Sequence, residues 1–309
     1  MTLTELRYIV AVADERHFGR AAARCFVSQP TLSIGVKRLE DELGFTLFER
    51  SKTGVHLTAL AERLVAKARN ILNEVDSFKD LAEEINDPFL APLRIGAIYT
   101  IGPYLFPALL PELRKAEPRL RLYIEESFTG VLRQMLRRGQ LDAIIIALPF
   151  TEADVEVAEL YTEPFEVLMP ITHPWTQEHA IAPSQLSGSD LLLLGEGHCF
   201  RDQVMDACPA LQKKMNSGDG LIVEGSSLET LRHMVASGLG ITVLPASAVG
   251  TESYAAGYLT TRPFTSPPPS RAVALAWRKQ FPRMEAIELL IDLIQHRVGP
   301  RLNATHEAA

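Results

Sequence analysis

The sequence predicts an α/β protein in three parts: an N-terminal all-α winged helix-turn-helix at residues 1–58, a long linker helix at 59–87, and a two-lobed α/β domain at 88–309. Three observations carry this. Residues 1–58 hold short helical patterns ending in a hairpin pattern, an apolar seam then runs on from Leu60, and beyond Leu93 short apolar runs alternate with helical stretches.

Leu3, Leu6, Ile9, Val10 and Ala13 have helical spacing, and His17-Phe18-Gly19-Arg20 breaks that helix. A small-residue helix follows at Ala21 to Cys25, with Cys25 read as packing. Ser28 is a good N-cap and Pro30 falls in the first turn of the next helix. Leu32, Val36, Leu39 and Leu43 form its buried face, while Gln29, Thr31, Ser33 and Lys37 face outward. Two short helices joined by a tight turn, the second opening with exposed polar groups, form a DNA-reading pattern. Residues 50–57 read as a hairpin whose basic tip, with Arg50 and Lys52, suits phosphates.

Leu60, Leu64, Ala68, Ile71, Val75, Phe78, Ala82 and Ile85 step by three or four residues along one helix. An apolar seam needs a cover. The same helix of a second subunit supplies one, and packing within its own domain is the alternative. Residues 86–92 read as a hinge.

The remaining chain reads as two α/β units. In the first lobe (about 93–161 and 267–298) the strands are LRIGAI, LRLYIEE and DAIIIAL, with helices at Leu105–Ala116 and Val131–Arg138. The second lobe (about 162–266) has FEVLMP, LLLLG, GLIVEG and ITVLP, with a helix at Ser227–Ser237. RAVALAW returns as a strand, and Met284–His296 is a terminal helix. Parallel strands buried on both faces are expected, with a ligand at their carboxyl ends.

The stretch GEGHCFRDQVMDAC, residues 195–208, holds two of the three cysteines. A glycine-bounded turn precedes Cys199, placing it near a helix N-terminus, where an anion is favoured and the thiolate is the reactive form. Cys208 lies nine positions on, on the apolar face. Nine helical residues separate two Cα atoms by about 13–14 Å, whereas a disulfide needs roughly 4.4–6.8 Å. Joining these thiols would therefore dismantle the helix. Spacing alone also suits two unrelated core cysteines. Thr100 and Thr129, at carboxyl ends of strands, share that setting with Cys199, although each threonine taken singly reads as a helix cap.

Net charge is −7, which excludes a uniformly basic nucleic-acid binder but not a local basic face. The absence of a long apolar run or signal-peptide pattern leads us to expect a cytoplasmic protein with no membrane association. In that reducing compartment a reversible disulfide would be regulatory. No metal or other cofactor is expected.

The stretch FGRAAARCFVSQPTLSIGVKRLEDELGFTLFERSKTGVHLT closely resembles the winged helix-turn-helix of LysR-type transcriptional regulators, and the likeness runs through the whole chain. It implies a periplasmic-binding-protein-like regulatory domain. GAIYTIGPYLFP, LDAIIIALPF, EPFEVLMP, GEGHCFRDQ and SSLETLRHMVASGLGITVLP resemble the hydrogen-peroxide-sensing members of that family. That resemblance implies that Cys199 is peroxidatic and Cys208 resolving, and that Thr100, Thr129, His198, Asp202 and Arg271 shape a peroxide pocket. His198 or Arg271 would favour the thiolate, with Asp202 paired and either orienting Arg271 or passing a proton. DNA contacts are expected from Ser28, Gln29, Pro30, Thr31, Ser33, Lys37, Arg50 and Lys52. The implied partners are double-stranded promoter DNA, hydrogen peroxide, RNA polymerase and further copies of the chain, as homodimer or homotetramer. The alternatives are a LysR-type regulator binding a small metabolite between the lobes, and a thiol peroxidase, which the helix-turn-helix disfavours; the chain is not expected to be an enzyme.

Overall fold

The structure, a computed structural model, describes residues 1–51, 54–84, 89–209, 211, 223–249 and 257–304. Two compact units emerge, one built on residues 1–86 and the other on most of 87–309.

The first unit holds α1 (Leu3–Glu15), α2 (Phe18–Arg24), α3 (Gln29–Leu43), a hairpin of β1 (Phe48–Ser51) and β2 (Gly54–Leu57), and α4 (Ala59–Glu84). Thr2 and Glu5 form a capping box at the start of α1. The helix stops at Arg16 in the left-handed region, and His17 Nδ1 then caps α2 by accepting from the Gly19 and Arg20 amides. The break thus falls at 16–17, and Phe18 to Arg20 are already helical. Ser28 caps α3, which ends at Gly44 with φ 81°, a conformation glycine adopts without strain. Leu32, Val36 and Leu39 are buried with Leu6, Ile9 and Val12, but Leu43, expected among them, is 36% exposed on the last position of α3.

The seam on α4 is divided rather than continuous. Ala68 is buried and Leu64 packs against the unit's own core, beside Ala61 and Val65, which the seam did not include. Leu60, Ile71 and Phe78 stay exposed, Phe78 at 73%. A straight helix turns about 100° per residue, so one apolar row drifts out of contact over this length. The side chains of Ala82 and Ile85, and residues 86–88 of the hinge expected at 86–92, lie outside the described residues.

The second unit is built on one mixed sheet. In chain order it contains β3 (Leu93–Ile98), α5 (Gly102–Ala116), β4 (Leu122–Ser127), α6 (Thr129–Arg137), β5 (Ala143–Ala147), β6 (Val155–Pro170), β7 (Leu191–Leu194), α7 (Cys199–Ala207) and β8 (Glu224–Gly225). Then come α8 (Leu228–Ala236), β9 (Ile241–Pro245), β10 (Leu259–Pro263), β11 (Ser270–Arg278), α9 (Met284–Leu293) and, after the π-turn Ile294–Val298, α10 (Gly299–Ala304). The strand order among the described residues is β4-β3-β5-β11-β6-β9-β7-β8, with β10 also on β6.

The expectation of parallel strands holds only in part. β3 pairs in parallel with β4 and β5, as β7 does with β8 and β9, but β11 is antiparallel to β5 and β6, and β6 to β9 and β10. The 16-residue β6 joins the two halves: Val155 to Pro164 pairs with β11, and Phe165 to Pro170 with β9 or β10. Every residue of AIIIA and LLLL is buried, as central strands covered on both faces require. Two hydrophobic cores result, one around β3, β5 and β11 and one around β7, β9 and α7. Among the described residues no helix is long and apolar enough to cross a membrane.

Candidate functional site

β7 ends in the turn Gly195-Glu196-Gly197. Gly197 has φ 92°, a left-handed conformation that favours glycine, and its Cα faces the Phe128 ring. His198 follows as the N-cap residue without a capping side-chain bond, and Cys199 is the first residue of α7. Arg201 fixes this first turn by donating to the Leu194 carbonyl at 2.8 Å and pairing with Glu224. Gln203 Nε2 reaches the Leu148 carbonyl at 3.3 Å, tying α7 to the segment after β5.

The two cysteines belong to different cores. Cys199, half-buried, packs against the core of β3, β5 and β11, whereas Cys208, 1% exposed, lies in the other core with Phe200 and Val204. Both are free thiols. Cys208 is the C-cap of α7, so the intact helix lies between them and holds their Cα atoms about 13 Å apart along its axis.

Cys199 lines a small cavity of about 10 Å³, measured as the space open to the centre of a water-sized molecule, together with Ile98, Tyr99, Thr100, Ser127, Phe128, Thr129, Gly197 and His198. That is room for roughly one water-sized guest. Thr100 is 2% exposed. Its Oγ1 and its carbonyl accept from Arg271 Nη1 and Nη2, each at 2.8 Å. Arg271 Nε donates to Glu163 Oε1 at 2.8 Å, and Glu163 Oε2 accepts from the Ser247 amide at 2.9 Å. The Arg271 guanidinium also lies over the Phe200 ring, 5.1 Å from its centroid. Thr129 opens α6, yet its buried Oγ1 has no hydrogen-bond partner among the described residues. Neither threonine is a helix cap. Burial holds the His198 imidazole below its ordinary pKa, opposed by a hydrogen bond with the Ser226 backbone.

In the first unit, Ser28, Gln29, Pro30, Thr31 and Lys37 are exposed along the start and outer face of α3, and Ser33 is half-buried. Ser28 Oγ accepts from the Thr31 amide at 3.3 Å, so its hydroxyl serves the cap. Ile34, 69% exposed, shares this face. Arg50 sits in β1 opposite Val55, but its side chain, and all of Lys52, lie outside the described residues.

Residues 3–62 match the bacterial regulatory helix-turn-helix protein, lysR family, and residues 88–299 match the LysR substrate binding domain. The chain belongs to the LysR family. Among relatives of this LysR-family chain, the Escherichia coli (strain K12) DNA-binding transcriptional dual regulator OxyR is 40% identical over 299 residues, 96% of each chain. Full-length OxyR C199D from Pseudomonas aeruginosa is 57% identical, with a TM-score of 0.77 over 97% of this chain and 99% of that one. A cysteine-to-serine variant of Corynebacterium glutamicum OxyR with H2O2 bound is 33% identical, with a TM-score of 0.66 over 100% of this chain and 96% of that one.

Of the pocket residues expected in this LysR-family chain, Cys199, Thr100, Thr129 and His198 meet at one cavity, and Arg271 stands directly behind Thr100. Asp202 does not join them. Phe200, Val204 and Met205 set the buried face of α7, and Asp202 is left exposed. The carboxylate on Arg271 is Glu163 instead, with both side chains fully buried. The Arg271 charge is thus balanced by Glu163, and burial disfavours the charged form of the His198 imidazole. The sequence reading also missed Tyr99 and Phe128. For Glu163 a signal existed, since an acid beside the apolar FEVLMP and an arginine opening RAVALAW each need a buried partner.

Proposed function

We infer that this chain is a DNA-binding, redox-responsive transcriptional regulator that senses hydrogen peroxide through Cys199. The observation that carries the reading is the pairing of the Cys199 thiol with the unpartnered Thr129 hydroxyl on a water-sized cavity. Thr100 Oγ1 accepts from Arg271 and so keeps its own hydrogen for a guest. Two hydroxyls facing one thiol fit a small ligand that is both donor and acceptor. A cavity of about 10 Å³ is too small for a metabolite.

In the reaction, the Cys199 thiolate attacks one peroxide oxygen, the O–O bond breaks, and the other oxygen leaves as hydroxide and takes a proton to become water. The Thr100 and Thr129 hydroxyls orient the peroxide and donate to the departing oxygen. The resulting sulfenic acid condenses with the Cys208 thiol, releasing water and forming a disulfide. That bond requires unwinding α7, which draws Cys208 out of its core. Moving a two-state equilibrium from about 1:99 to about 99:1 takes roughly 5.5 kcal/mol, comparable with a disulfide (about 2–4 kcal/mol) plus the remade packing.

The exposed start of α3 is the double-stranded promoter DNA-reading face, with Arg50 and Lys52 on phosphates. The outer apolar row of α4 (Leu60, Ile71, Phe78) pairs with a second copy, and residues 59–87 act as the linker between the winged helix-turn-helix and a periplasmic-binding-protein-like regulatory domain. Homodimers or homotetramers of this cytoplasmic regulator act on RNA polymerase at promoters. Peroxide titration with thiol counting is the test. One equivalent should remove two thiols, leaving Cys25. A Cys199 that reacts no faster than free cysteine would overturn the reading.

A further inference from the structure

The walls of the Cys199 cavity differ in kind. Ile98, Thr100 and His198 are buried, at 4%, 2% and 7% exposure, whereas Tyr99 and Phe128 are 38% and 37% exposed. The two half-exposed rings meet edge to face at 5.3 Å between centroids, Phe128 meets the His198 ring at 4.8 Å, and Tyr99 lies 6.1 Å from it. Three rings from three different segments, the ends of β3 and β4 and the turn before α7, therefore close the outer side of the cavity. Phe128 is held by both of the other rings, because edge-to-face contacts fix ring orientation.

We propose that Tyr99 and Phe128 are specificity-determining residues, which admit hydrogen peroxide to Cys199 and exclude alkyl hydroperoxides. This rests on the peroxide-sensing reading given above. The chemistry is the same for either oxidant: thiolate and ROOH give Cys199 sulfenic acid and RO⁻, which takes a proton to become ROH. Only the size of R differs. A tert-butyl group adds four carbons to a guest whose cavity measures about 10 Å³. One extra methylene in a fitted pocket already discriminates by roughly 10–200-fold, so the aromatic wall should select against tert-butyl hydroperoxide by at least about 100-fold.

The test measures the rate of Cys199 oxidation in the full chain by H2O2 and by tert-butyl hydroperoxide, with each ratio divided by that of free cysteine. The wild type should prefer H2O2 by about 100-fold or more on this scale, and Phe128→Ala and Tyr99→Ala should each lower that preference by about 10-fold or more. Phe128→Tyr, which keeps the ring, should retain it. Both positions are half-exposed, so two independent truncations are available if one chain fails to fold. A wild type with no preference beyond that of free cysteine overturns the proposal, as does full preference in both alanine variants. A wild-type Cys199 no faster than free cysteine toward H2O2 itself is a different result, and it removes the underlying reading as well.

Discussion

Glu163→Gln tests how the pocket is held together. The substitution keeps the shape of the side chain and removes its charge. Arg271 and Glu163 are both fully buried, and Glu163 also accepts from the Ser247 amide. Without the carboxylate the guanidinium is left buried and uncompensated, which costs about 3–5 kcal/mol. For a domain of this size each kcal/mol lowers Tm by roughly 2–4 °C, so a fall on the order of 6–20 °C is expected. The double change Glu163→Gln with Arg271→Met should recover part of that loss, because it removes the uncompensated buried cation. In Glu163→Gln, Arg271 loses its charged anchor while still bonded to Thr100, so the Thr100 hydroxyl should also shift, and misplacement by about 1 Å can cost on the order of 100-fold in rate. Peroxide oxidation of Cys199 in Glu163→Gln should therefore slow far more than its alkylation by iodoacetamide, which needs no oriented hydroxyl. Calorimetry and the two rates decide the matter. A Tm within a degree or so of wild type would refute the reasoning, as would equal slowing of both reactions.

Other consequences are open to measurement. Burial lowers the His198 pKa below 6.5, so between that value and its folded value the unfolded chain binds the extra proton and stability falls as pH falls. His198→Gln should flatten this loss in urea titrations between about pH 7 and about pH 5; an unchanged slope would mean that the imidazole protonates freely in the fold. Lys37→Ala should weaken binding to all duplexes and reduce the slope of log K against log salt by about 0.9, and an unaltered slope would remove Lys37 from the phosphate contacts. Phe78→Asp, on the exposed row of α4, should lower the oligomeric state seen by sedimentation; wild-type assembly would show that this row is not the interface.

Much of this fold is readable where local chemistry and burial agree. The Ser28 side chain, accepting from the Thr31 amide, marks the start of α3, and AIIIA and LLLL mark strands by being wholly buried. The first half of β6 was missed because Glu156, Glu159 and Glu163 interrupt its apolar pattern, although β11 pairs along it. Glu163 was missed with it, since nothing local connects it with Arg271, 108 residues away. Asp202 was credited with that role from proximity to Cys199, but helix periodicity turns it to solvent. Tyr99 and Phe128 meet only when the ends of β3 and β4 lie side by side, a contact no spacing along the chain encodes.

Hydrogen exchange across α7, read before and after one equivalent of peroxide and alongside disulfide mapping, bears most directly on the coupling of oxidation to refolding. The amides of residues 203–207 should be protected in the reduced protein and lose protection as a Cys199–Cys208 bond appears. Protection that persists after that bond has formed, or the bond already present in untreated protein, would contradict it.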